Sequence, residues 1–398
     1  MSQATFDTHF RETIGGLRAA LLELYKAVDA DPDQPQEVSR RFKVNKTLTW
    51  RAAKVMKEED AFQAASLLPG ASGLEILIES LGAKGGAPKA VVESAREAGA
   101  AFDRMVKIHI EDRANLELVL DAMGSGEKPL LRSRTMAFRG ASGIWGLQCQ
   151  TQVIARFIAP SRAREGYLDL ARITGWTDIR RLRAVDGWPL IQMALSNDDG
   201  SPLSRPTRPM PLSDSEESDA WTLREFCKGA EGSVRVRGTA RGLSFELQEG
   251  MVGRLGELTY FSGFSFREAV PRYASKDNAF GDFRPSITVP AKALLLDLFV
   301  HADVKEAMES TVAAYGNLRS ADPEPNPAFR IPMSEKLLNM GTNPRVATPL
   351  VDRYPELVDV VMRRCGWSLK DFCLLRFRYE YPPMHATMSI RYPLPPAP

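Results

Sequence analysis

The chain is poor in the residues that most often announce chemistry. Its 398 residues include only four cysteines and four histidines. The cysteines, Cys149, Cys227, Cys365 and Cys373, fall in no paired metal-ligand spacing. Sparse, unpatterned cysteine in a chain this long fits free thiols in a reducing compartment, not a disulfide framework. No Gly-x-Ser-x-Gly run is present, and the Gly-Ala-Ser-Gly at 140–143 lacks the spacing of a nucleophile elbow. Gly82, Lys84, Gly85 and Gly86 lack the order of a phosphate loop. No catalytic motif and no cofactor fingerprint remains.

Long apolar runs are also missing. The longest, 293–300, is far short of a bilayer span and carries Asp297. The first sixteen residues have no basic start followed by an apolar stretch, so no signal peptide is expected. Neither sign of charge dominates, with Lys plus Arg at 52 and Asp plus Glu at 50. Overall charge therefore says little about partners, and its local distribution must be read instead. A soluble, cytoplasmic protein with no membrane partner is expected. Hydrophobic residues at 44% supply enough apolar material for sizeable cores, and the length favours more than one domain.

What is present divides into two textures. Phe6, Phe10, Ile14, Leu17, Leu21, Leu24 and Val28 recur at three- and four-residue spacing, which predicts a helix over 4–28 with one apolar stripe. That stripe would bury in its own domain or pair two copies as a homodimer. Helical periodicity continues to about Met123. Pro88 suits the first turn of a helix carrying Val92, Ala95, Phe102 and Met105, and Asp112 can cap the next. Residues 1–128 are expected to form an all-helical domain.

From about Leu130 the pattern changes. Residues 147–153 alternate apolar or small residues with glutamines, and 233–238 with 243–247 bracket a Gly-containing turn as a hairpin does. Phe377, Tyr379 and Tyr381, then Met388, Ile390 and Tyr392, alternate on either side of Pro382 and Pro383, predicting a terminal hairpin. Helices are expected at 304–316 and 355–365. An arginine-rich segment, 131–140, would open the sheet region, with Arg180, Arg181 and Arg183 further on. The fold class expected is α+β, with 129–398 a mixed, mainly antiparallel domain. Pro- and Ser-rich stretches near 196–219 and 320–327 have the composition of linker-like loops, and no internal repeat is visible.

The segment with a functional mechanism is 37–57. From Arg40 to Lys57 it holds seven basic residues (Arg40, Arg41, Lys43, Lys46, Arg51, Lys54, Lys57) and no acidic one. With Asn45 as the cap of a helix, Leu48, Ala52, Val55 and Met56 share one face, and Lys46, Trp50, Lys54 and Lys57 share the other, with Thr47 and Arg51 beside them. The order of Ser39, Lys43, Val44 and Asn45 resembles the helix-turn-helix of bacterial transcription regulators: small residue, turn, buried aliphatic, cap. It departs in placing Lys43 where the turn often has glycine. It also places Thr49 at the usual β-branched position, with Leu48 beside it, so the register could shift by one residue. The resemblance covers about twenty residues and implies DNA as partner. The cations would meet phosphates, and Thr47, Trp50 or Arg51 would reach base edges or sugars. Asp60, Glu58 and Glu59 gather just outside.

Two other classes stay open at this point. His301 and Asp303 end an apolar strand, and His385 follows later with Arg391 beyond. The set resembles the iron-binding triad and co-substrate arginine of the 2-oxoglutarate oxygenases. Structural histidines explain the same residues. The third class is a non-catalytic structural or assembly protein.

Overall fold

The stripe at Phe10, Ile14, Leu17, Leu21 and Leu24 becomes the buried face of one long helix, α1 (Phe6–Ala27), and the first unit is built around it. The computed structural model describes residues 5–123, 127–192, 208–213, 220–239, 242–276, 278–316 and 325–398. The chain separates into two compact units, 1–130 and 131–398. It is an α+β protein, helical first and then mainly antiparallel sheet.

The first unit continues with α2 (Pro35–Phe42), α3 (Lys46–Lys57), α4 (Ala61–Leu67), α5 (Ala71–Gly85), α6 (Lys89–His109) and α7 (Arg113–Met123). Helix α1 packs chiefly on α6. Phe10 stacks on Phe62 at 4.7 Å between centroids, and Phe102 and Met105 complete that side of the core. Each such buried side chain contributes about 1.5–3 kcal/mol. Asp112 caps α7 by accepting from the Asn115 amide at 2.8 Å. Gly85 matters for a different reason. A Cβ there would lie 2.5 Å from a Val28 methyl carbon, so only glycine lets α5 close on Val28 and Phe42.

The second unit opens with α8 (Glu127–Trp145), which lies almost wholly within it. This corrects the expectation that the arginines of 131–140 begin the sheet. Arg134, Phe138 and Ser142 are the buried stripe, at four-residue steps, and a buried arginine in that series conceals the helical period. Arg134 is held by Glu335 at 2.7 Å and lies over the Tyr379 ring.

The strands are β1 (Leu147–Pro160), β2 (Tyr167–Arg181), β3 (Trp188–Gln192), β4 (Met210–Pro211), β5 (Val234–Thr239), β6 (Gly242–Leu247) and β7 (Leu258–Pro271). They continue as β8 (Phe280–Phe283), β9 (Ala291–His301), β10 (Thr311–Tyr315), β11 (Arg330–Ile331), β12 (Leu338–Thr342), β13 (Phe372–Glu380) and β14 (Thr387–Pro393), with α9 (Tyr354–Cys365) between β12 and β13. A large sheet runs β12-β13-β9-β1-β2-β7-β4, a smaller one β11-β10-β14-β8, and β3-β6-β5 forms a third. The β1–β9 pair is parallel and buried almost throughout. One face of it meets α9 through Tyr354, Leu357 and Val361, and the other meets an apolar core shared with Met388 and Ile390. Covering on both faces explains the apolar run of 293–300, interrupted only by Asp297.

Two further expectations are corrected. The segments around Pro382 and Pro383 are not a hairpin: β13 pairs with β9 in the large sheet, and β14 with β10 and β8 in the small one. Two prolines that cannot donate to a ladder carry the chain from one sheet to the other. Residues 304–316 are a 3-10 turn, Lys305–Glu309, followed by strand β10, because Thr311 and Val312 take up pairing with β14. The β5–β6 hairpin and the helix near 355–365 form as expected. Of the loop segments, 196–207, 214–219 and 320–324 lie outside the described residues. No single helix among the described residues is long and apolar enough to cross a membrane.

Candidate nucleic-acid interface

The turn between α2 and α3 is built by short-range hydrogen bonds that the sequence encodes. Lys43 ends α2 in the left-handed conformation, with φ 51° and ψ 46°. The Ser39 hydroxyl donates to the Val44 carbonyl at 2.7 Å, and the Val44 amide donates back to the Ser39 carbonyl at 3.1 Å. Val44 is buried, which fixes the chain's exit from the turn. The Asn45 side chain accepts from the Thr47 amide at 2.8 Å and caps α3. Lys84 donates to the Phe42 carbonyl at 2.8 Å, satisfying one of the open acceptors at the end of α2. Small residue, turn, buried aliphatic and cap occupy the positions read from the sequence.

The inward face of α3 differs by one residue from the expected one. Thr49, Ala52, Ala53, Val55 and Met56 are buried, whereas Leu48 is half-buried. The Thr49 hydroxyl donates to the Pro35 carbonyl at 2.8 Å, tying α3 to the start of α2. A short polar side chain thus locks the angle between the helices where a leucine was expected.

The outward face holds Lys46, Thr47, Trp50, Arg51, Lys54 and Lys57, all exposed. Trp50 is 47% exposed, unusual for the residue, and Lys54 Nζ sits 3.9 Å over its ring. Lys57 is engaged by Asp33. Arg41 is turned away: it donates to the Asp29 carbonyl at 2.6 Å and stacks on Phe42. Arg40, Lys46 and Trp50 instead border an open groove of about 650 Å³, whose lining also includes Asp33, Gln34 and Glu37. The ten sequence-selected residues therefore divide. Lys46, Thr47, Trp50, Arg51 and Lys54 form a continuous outward patch with Arg40 at its edge, while Lys43 and Asn45 shape the turn and Arg41 and Lys57 are occupied locally.

Two substitutions test the turn. Asn45→Ala is expected to destabilise the first unit by about 1 kcal/mol through loss of the cap. Lys43→Gly is expected to stabilise it by about 0.5–1 kcal/mol, since glycine adopts positive φ without steric cost. Urea unfolding followed by far-UV circular dichroism measures both, and a loss of stability in Lys43→Gly would mean that the left-handed turn does not persist in solution.

The histidine set is not assembled. His301 ends β9, with Asp303 Oδ2 3.5 Å from its Nδ1. His385 packs against Trp145 in the β13–β14 connection, where the Tyr381 amide bonds to Lys292 at the other end of β9. Most of the length of β9, roughly 30 Å, separates the two histidines. Among the described residues no three His, Cys, Asp or Glu side chains converge as a metal site. His9 and His109 meet each other at 2.9 Å in the first unit. The second arginine group is also engaged, Arg180 by Glu257 and Arg181 by the Gln248 carbonyl.

No family model matches the sequence, and no curated protein matches it. The solved structures similar to it include a two-domain M1 zinc metallopeptidase variant bound to L-tryptophan, with a TM-score of 0.24 at 10% identity. Another is an M1 zinc metallopeptidase variant from Deinococcus radiodurans bound to a Tyr-Ser-Ala substrate, with a TM-score of 0.23 at 10% identity. Each alignment covers 62% of this chain and 42% of the peptidase. This chain thus spans less than half the length of those enzymes, and a likeness at that level says nothing of its chemistry.

Proposed function

We propose that this chain binds double-stranded DNA through α2, the turn and α3, as a regulator-like protein acting in the cytoplasm. The observation that supports this most is the division of α3. One face is anchored by Thr49, Ala52, Val55 and Met56, and the opposite face offers Lys46, Thr47, Trp50, Arg51 and Lys54 to solvent. A helix presented in this way fits the major groove, with its cations at phosphates and Thr47, Trp50 and Arg51 toward base edges. Homodimerisation would bring two such helices to successive half-sites. Because the main stripe of α1 is already buried within the first unit, such a contact would use its outward side, where Leu22 is 44% exposed.

The test is fluorescence anisotropy of a labelled mixed-sequence duplex at two salt concentrations. Wild-type protein is expected to bind, weakening as salt rises. The double variant Arg51→Glu with Lys54→Glu is expected to bind far more weakly. No wild-type binding, or binding untouched by the charge reversal, removes the proposal.

A further inference from the structure

The arginines of the second unit that lie in or beside its core are not all matched by a carboxylate. Arg376 faces Asp297, Arg134 faces Glu335, and Arg181 donates to the Gln248 carbonyl. The buried Arg156 and the half-buried Arg172 have no carboxylate partner at all. They are directly opposed residues on β1 and β2, on the face that carries Ile154, Ile158, Leu170 and Trp176 into the larger core. Arg156 is only 8% exposed. Like charges directly opposed across two strands repel each other. Burial, and for Arg172 the neighbouring Arg156 as well, pushes both guanidiniums below the usual arginine range.

No carboxylate relieves them. Among the described residues neither arginine forms an ion pair, and their one hydrogen bond is from Arg172 Nε to the Thr174 hydroxyl at 2.7 Å. The nearby acids are committed elsewhere. Asp282 accepts from Arg284 at 3.0 Å and from Ser389 at 3.3 Å, and Glu306 accepts from Arg272 at 2.9 Å. What the two arginines share is an aromatic ring: their guanidinium carbons lie 4.7 and 5.6 Å from the centroid of Phe283 on β8. The ring's negative face offsets part of a positive charge but cannot neutralise two. No guanidinium nitrogen of either residue is among the wholly enclosed side-chain atoms that lack a hydrogen-bond partner.

We propose that Arg156 and Arg172, held by the Phe283 ring on one side, form an anion site on their other side that takes a doubly charged oxyanion of the phosphate class. A guanidinium meets phosphate with paired, parallel N–H donors, and two of them facing each other from adjacent strands match one dianion. The bound dianion supplies the negative charge that the protein omits. The site lies entirely in the second unit and is independent of DNA binding by α3.

The experiment is isothermal titration of the full chain with inorganic phosphate and, separately, with phenyl phosphate, at fixed ionic strength set by sodium chloride. Tighter binding of phenyl phosphate identifies a phosphate monoester as the ligand, and equal binding identifies free phosphate. Arg156→Gln and Arg172→Lys are each expected to weaken binding at least tenfold, the second by removing the paired donors while keeping the charge. Arg51→Glu with Lys54→Glu is expected to bind phosphate as the wild type does, which separates this site from the basic helix. Should Arg156→Gln fail to fold, Arg172→Lys carries the test. The proposal is overturned if neither ligand binds the wild type at millimolar concentration, if the arginine variants retain wild-type affinity, or if the helix variant alone abolishes binding.

Discussion

Asp297→Ala is expected to destabilise the second unit by about 3–5 kcal/mol, because it strands a buried guanidinium. Asp297 is wholly buried on the α9 side of β9, and Arg376 on the adjacent strand is 2% exposed. The pair is bidentate, at 2.9 and 2.7 Å, and the Tyr354 hydroxyl donates to the same carboxylate at 2.9 Å. Arg376 also donates to the Val346 carbonyl at 2.8 Å, so the cluster ties β9, β13, α9 and the 346–347 loop together. Burial pushes the Asp297 carboxyl up, and hydrogen bonds from Arg376 and Tyr354 oppose that shift. Removing one partner leaves the other charge without compensation, whereas removing both need not. Asp297→Leu combined with Arg376→Met and Tyr354→Phe is therefore expected to recover part of the loss, to within about 1–3 kcal/mol of wild type. The third change removes the hydroxyl that would lose its acceptor, and the remainder is the Val346 carbonyl left without a donor. Urea unfolding followed by tryptophan fluorescence, to which the second unit contributes five of the six tryptophans, reads mainly that unit, and equal destabilisation by the single and the combined variants would show that shape, not charge pairing, governs the site.

DNA affinity is expected to fall steeply with salt. If Arg40, Lys46, Arg51 and Lys54 each neutralise one phosphate, log K against log salt has a slope of about −3.6, or roughly a hundredfold loss between 50 and 200 mM. Reversing Arg51 and Lys54 removes two of those contacts and halves the slope to about −1.8. Lys57→Ala serves as the internal comparison. Because Asp33 already engages that ammonium, its loss is expected to leave the slope unchanged. A slope near zero for the wild type would place the contact, if any, outside phosphate chemistry. Equal slopes for the wild type and the double reversal would place it elsewhere on the protein.

The local grammar of the first unit was legible in the sequence because it depends on neighbours. Asn45 reaches two residues ahead to cap α3, Ser39 reaches five to hold the turn, and the stripe of α1 repeats within each turn of helix. The same holds for the β5–β6 hairpin, whose strands are separated by two residues. The one-residue offset on α3 was legible only as an alternative, Thr49 at the β-branched position with Leu48 beside it, and the Thr49 hydroxyl's bond to the Pro35 carbonyl fixes which of the two turns inward.

The second unit shows where sequence reading stops. The helix over 131–140 hides behind a buried arginine whose partner, Glu335, lies some two hundred positions away. The switch of β14 to another sheet depends on β10 and β8, neither of them adjacent in sequence. His301 and His385 resembled a metal pair until β9 separated them. Sequence by itself determined the α+β class, the helical start and the capped basic helix, because periodicity and capping are set by residues within one or two turns. Only the tertiary structure decided which strands meet, which histidines part, and which arginines face each other without a counter-charge. Those outcomes arise from long-range pairing, and no local pattern of side chains records the partner.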